Sequence, residues 1–155
     1  MNERAERAGC GVAAVANCFR LRQEEIRNEW LTRVERDPEV PSERLTLREL
    51  EDDIPNLLGH IVGALDAFGR WQDDAEARGE LAGRGPPTVN HLRLRMRKGF
   101  DATEVLRELH HLREALVDAC DREHVILGGA AARIVHASID AAMALAVRLT
   151  AEQRM

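Results

Sequence analysis

The chain has no tyrosine, and its two tryptophans and three phenylalanines make up only 3% of it. β-Sandwiches and barrels lean on aromatic and β-branched residues to fill their pleated faces, so this composition speaks against them. Lysine is almost missing as well: Lys98 is the only one, and the other basic residues are arginines. The three cysteines, Cys10, Cys18 and Cys120, form no CxxC pair and are odd in number. That pattern suits thiols kept reduced in a cytoplasm, buried or half-exposed. No apolar run approaches the roughly 20 residues of a membrane span. The start, Met1-Asn2-Glu3-Arg4, carries an acid and does not look like a signal peptide. A Gly-rich phosphate loop and a nucleophile elbow are both missing, which argues against an enzyme.

What is present is helical. Hydrophobic residues reach 45%, too many for a disordered chain. Ala, Leu, Arg and Glu dominate, all good helix formers. A length of 155 residues suits one domain with one core. The net charge of −5 disfavours nucleic acid as a partner. The expectation is an all-α single domain over 1–155, with 1–10 as a separate arm because Gly9 and Gly11 interrupt the start.

Along the chain, helical spacing runs from about Arg4 to Arg36, with Ile26, Trp30, Leu31 and Val34 in its second half. Pro38 and Pro41 mark a loop. Thr46 and Glu49 form a capping box that opens a short helix, and Pro55 is expected to interrupt it and start another. That next helix carries Leu57, Leu58, Ile61, Leu65 and Phe68 to about Trp71. Residues 77–87, rich in glycine and closed by Pro86 and Pro87, read as the longest loop. Thr88 or Asn90 caps the helix of His91 and Arg95, which stops at Gly99. Asp101 and Glu104 form a second capping box. The helix behind them presents Val105, Leu109, Leu112, Leu116 and Ala119 at spacings of four and three, a seam for a long neighbour. Gly128-Gly129 precedes a last helix with Val135, Ile139, Ala142, Ala146 and Leu149 on one stripe.

The most particular stretch is His91, Arg95, Gly99-Phe100-Asp101, then Val105-Leu106-Arg107-Glu108 and Leu112-Arg113. Together with Leu50, Asp53-Ile54-Pro55 and Leu57-Leu58, it resembles the N-terminal sensor domain of RsbR-type stressosome regulators, found also at the front of bacterial sensor histidine kinases. The resemblance covers most of the chain and departs at Leu109, where the family usually has an aromatic. It implies a globin-like bundle of about six helices that carries no haem, homodimerises and feeds a kinase or a STAS-type stress-response regulator. On the residues themselves, His91 and Arg95 lie four apart on one helical face and can share one carboxylate. Two uses stay open: a ligand-anion site, or a polar joint between helices built with Arg107, Glu108 and Arg113. Glu108 can pair with Arg113 or reach back to Arg95.

Other chemistries are weaker. A globin-like fold raises haem, with His60, His91 or His136 as axial candidates, but a haem pocket wants aromatic walls. The six histidines make no HxxxH or HExxH pair, and His110 and His111 point about 100° apart on a helix; no metal or other cofactor is expected. The run His110-His111-Leu112-Arg113-Glu114-Ala115-Leu116 echoes a kinase phosphoacceptor segment but lacks its acid and its proline, leaving His110 phosphotransfer as a further alternative. Arg93, Arg95, Arg97 and Lys98 alternate with Leu92, Leu94 and Met96 around the helix, without the aromatics of a single-strand site. Self-association is expected through the first and last helices, with Trp30, Ile139, Ala142 and Ala146 at the interface.

Overall fold

A computed structural model describes the backbone of residues 3–71 and 89–153, and the side chains of 11–50, 55–69 and 91–153. Among the described residues there are six α-helices and no strand: α1 Glu3–Leu21, α2 Gln23–Arg36, α3 Leu47–Trp71, α4 Val89–Arg97, α5 Ala102–Arg122 and α6 Gly129–Gln153, with a 3-10 turn at Ser42–Arg44. The protein is an all-α helical bundle. Each helix turns its periodic apolar face inward: Val15 and Phe19 from α1, Ile26, Trp30 and Val34 from α2, Leu58, Ile61 and Leu65 from α3, and Leu92 from α4. The seam of α5 is buried throughout, from Val105 to Ala119. It packs on α2 and α6, while α1 crosses α3, α6 and α5. The stripe of α6 is just as deep at Val135, Ile139, Ala142 and Ala146.

Several boundaries differ from the sequence reading. The stretch expected as one helix from Arg4 to Arg36 is kinked at Arg22 (φ −109°, ψ 19°), although Arg22 N–H still donates to the Cys18 carbonyl at 2.9 Å. At the start, expected to be a separate arm or to fray, the backbone is helical from Glu3 and runs through Gly9 and Gly11. Pro55 does not interrupt α3. Leu50 ahead of it and Leu57, Ile61 and Leu65 behind it enter the same core, and that burial outweighs the roughly 3 kcal/mol that an internal proline costs a helix. The glycine-rich tract at 77–87 lies outside the described residues, as does Thr88. Asn90, the other expected cap, lies inside α4.

Both capping boxes form. Thr46 and Glu49 exchange backbone-to-side-chain hydrogen bonds of 3.0 and 3.1 Å, and Asp101 and Glu104 exchange bonds of 2.9 and 2.8 Å. Between them α4 ends as expected at Gly99, whose φ of +87° lies in the left-handed region. Phe100 N–H donates to the Arg95 carbonyl at 3.0 Å, and Gly99 N–H to that of Met96 at 3.0 Å. This closure turns the chain sharply from α4 into α5 and sets Arg95 facing Glu108.

The last helix bears on the expectation that no apolar run is long enough to span a membrane, without deciding it. By length and composition alone, α6 is long and apolar enough to cross one, although a third of the qualifying window (33%) is buried inside the protein. Its scattered charges, Arg133, Asp140 and Arg148, broke up the apolar runs on which the sequence reading relied.

Candidate functional site

Among the described residues, the joint between α4 and α5 holds the most deeply buried charges. Arg95 is 0% exposed and Glu108 1%. Arg95 Nε donates to both carboxylate oxygens of Glu108, at 2.9 and 3.0 Å, and Nη2 donates to Oε1 at 2.7 Å. Such a forked pair is the geometry in which a guanidinium satisfies a carboxylate most fully. His91, one turn earlier on α4 and 8% exposed, brings Nε2 to 3.9 Å from Glu108 Oε1. The Arg95 guanidinium also lies over the Phe100 ring, 5.8 Å from its centroid. On the far side, Trp30 donates its indole N–H to the Glu108 backbone carbonyl at 3.1 Å. Glu108 thus ties α2, α4 and α5 together through one residue.

A second cluster sits one turn along, between α2 and α5. Asp37, just past the end of α2, accepts hydrogen bonds from Arg107 Nε at 2.9 Å and Nη2 at 3.1 Å. His111 Nε2 lies 2.7 Å from the same carboxylate, and Arg107 pairs on its outer side with Glu39 at 2.9 Å. Burial pushes the Asp37 carboxyl up, but the bonds from Arg107, His111 and the Glu39 backbone outweigh it and hold the group well below the usual carboxylate range. Beside this cluster a groove of about 450 Å³ is lined by Thr103, Leu106, Arg107, His110, His111 and Met143.

The five residues expected in one polar group therefore divide. His91, Arg95 and Glu108 meet in the core. Arg107 belongs to the Asp37 cluster, and Arg113 pairs with Asp140 on α6 rather than with Glu108. Asp37 was missed, because nothing beside the loop proline Pro38 distinguishes it from the other acids. The expected interface residues are corrected outright. Trp30, Ile139, Ala142 and Ala146 are each no more than 1% exposed within the single chain, because they are the inward stripes of α2 and α6 and have no surface to offer a second copy.

The other candidates fall as follows. His60 and His136 are half-buried on α3 and α6, and His91 is already engaged with the Arg95–Glu108 pair. His110 is exposed on α5. The basic run is split, with Arg95 buried, Arg93 and Arg97 exposed, and Lys98 paired with Glu49 at 3.3 Å. Among the described residues, no three metal-ligating side chains come together. In comparisons with protein-family models, characterised proteins and solved structures, no significant match was found.

Proposed function

We propose that this chain is a non-catalytic signal-input domain that homodimerises in the cytoplasm and biases an output module, a histidine kinase or a STAS-type stress regulator. One observation carries the reading: His91, Arg95 and Glu108, singled out in sequence as one motif, converge on one buried joint between two helices. A buried ion pair is weak as a source of stability, since apolar residues of similar volume often serve as well. Its value is discrete geometry. The pair holds α4 and α5 in one register, and a signal acts by favouring a different packing of those helices.

The dimer surface in this reading is the outer face of α6. Ala137, Asp140, Ala141, Ala144, Val147, Arg148 and Ala151 are exposed there, and the alanines recur at helical spacings that allow close approach. Antiparallel pairing about a two-fold axis at Ala144 sets Asp140 opposite Arg148 of a second copy, twice over. Unlike charges then meet on either side of an apolar centre.

The test is affinity capture of the tagged full chain from its native host, alongside a Glu108→Gln variant. The reading expects a kinase or STAS protein retained by the wild type and lost or altered with the variant. The same purified protein separates the alternatives. A Soret band after incubation with haem would replace the reading with a haem sensor. Phosphoryl transfer to His110 from a phosphorylated response regulator would replace it with a phosphorelay carrier.

A further inference from the structure

Cys18 and Cys120, about a hundred residues apart in sequence, meet in the core. Cys18 lies on α1 and is 5% exposed; Cys120 lies in the last turn of α5 and is 1% exposed. Cys18 Sγ lies 3.7 Å from the carbonyl oxygen of Ala119, the residue just before Cys120. Both are free. The contact sits beneath the ion pair of Arg22 with Glu123, at 2.7 Å, with Arg122 and Asp121 also charged nearby. Two breaks in regular structure flank it. Arg22, one turn beyond Cys18, is the kink between α1 and α2, and α5 ends two residues after Cys120. Helix ends and kinks are where local opening is least costly, so a small oxidant can reach thiols that the closed fold covers.

We propose that Cys18 and Cys120 form a dithiol modification site that a hydroperoxide-class oxidant closes to a disulfide, cross-linking α1 to the end of α5. The site is independent of the signal-input reading. Cys18 is the attacking thiol. Burial raises both groups, Cys120 to about 12, and Cys18 is the more exposed of the two, at 5% against 1%. The Cys18 thiolate attacks one peroxide oxygen and the O–O bond breaks. Cys18 becomes a sulfenic acid, and the departing oxygen takes the thiol proton and leaves as water or alcohol. The Cys120 sulfur then attacks the Cys18 sulfur, the S–O bond breaks, and the hydroxide leaves as water with the Cys120 proton. Two thiols are oxidised by two electrons, and one peroxide is reduced.

The experiment exposes the reduced full chain to stoichiometric hydrogen peroxide between pH 7 and 8.5, followed by intact mass and non-reducing peptide mapping. The expected product is a monomer lighter by two hydrogens, with the Cys18 peptide joined to the Cys120 peptide. It should form about tenfold faster per pH unit, since the thiolate fraction grows that fast below the pKa. Cys10→Ala should leave the product unchanged, and Cys18→Ser or Cys120→Ser should abolish it. The map of the unsubstituted chain decides the matter even where a serine variant folds poorly. Oxygen added without a cross-link, a cross-link through Cys10, or a Cys18–Cys120 bond formed only in denaturant would each overturn the proposal.

Discussion

Arg95 and Glu108, thirteen residues apart on successive helices, are joined by three hydrogen bonds of 2.7 to 3.0 Å inside a joint that excludes solvent. Removing one partner strands a buried charge. Glu108→Leu is therefore expected to destabilise the protein by about 3–5 kcal/mol, while Arg95→Met with Glu108→Leu should come within about 1–2 kcal/mol of wild type or exceed it. Urea unfolding of the three chains measures this coupling. A double variant as weak as the single one would mean that the pair does more than satisfy its own charges.

Two helix ends close through left-handed residues, only one of them glycine. Gly99 has φ +87°, and His124, which closes α5, has φ +56°. A side chain at position 99 would be strained, and its Cβ would lie 3.2 Å from Arg44 Nη1, the group that donates to the Gly99 carbonyl at 2.9 Å. Gly99→Val should cost roughly 1–2 kcal/mol or more. At His124 the sign reverses: glycine relieves the strain but frees the unfolded chain, so His124→Gly should gain up to about 1 kcal/mol. Melting curves that move together for both variants would contradict the opposite signs.

Asp37 predicts an acid-labile link between the α2 end and α5. Its folded pKa is depressed, so its contribution is complete above the ordinary carboxylate value of about 4 and is lost as pH falls below it. Asp37→Asn should lower stability at pH 7 by about 1–3 kcal/mol, the worth of charge-assisted hydrogen bonds. The gap between the two chains should then narrow from about pH 4 toward pH 2. Denaturant midpoints at pH 7, 4 and 2.5 test this, and a gap that stays constant with pH would rule it out.

These sites mark how far the sequence could be read. Helix type, both capping boxes and the stop at Gly99 were legible because each depends on local chemistry with a fixed spacing. The partner of Glu108 was legible as a choice between two arginines, and the tertiary fold made the choice. The kink at Arg22 was not legible, since neither proline nor glycine marks it. Nor was the continuity of α3 through Pro55, where a shared core overrides a local breaker. Asp37 and the contact of Cys18 with the last turn of α5 are long-range pairings with no sequence signature. The interface residues were misassigned for a related reason. An apolar stripe looks the same in sequence whether it faces its own core or a second copy.

The dimer proposal therefore turns on the opposite face of α6, and its variants separate folding from association. Ile139 is fully buried, so Ile139→Asp should unfold the chain, with loss of helical signal at all concentrations. Ala144 is exposed at the centre of the outer face. Ala144→Arg should leave the melting of the isolated chain nearly unchanged, yet weaken self-association at least about tenfold, or 1.4 kcal/mol. The charges give a sharper test, because the antiparallel arrangement pairs Asp140 with Arg148 of the second copy. Asp140→Arg alone places like charges together and should dissociate the dimer, at the added expense of the Asp140 contact with Arg113. Adding Arg148→Asp restores the pairing with reversed signs and should recover association, more so at low salt. Sedimentation over a range of micromolar concentrations reads each step. A wild-type chain that stays monomeric throughout would refute the dimer, and failure of the double swap to recover association would refute the antiparallel pairing.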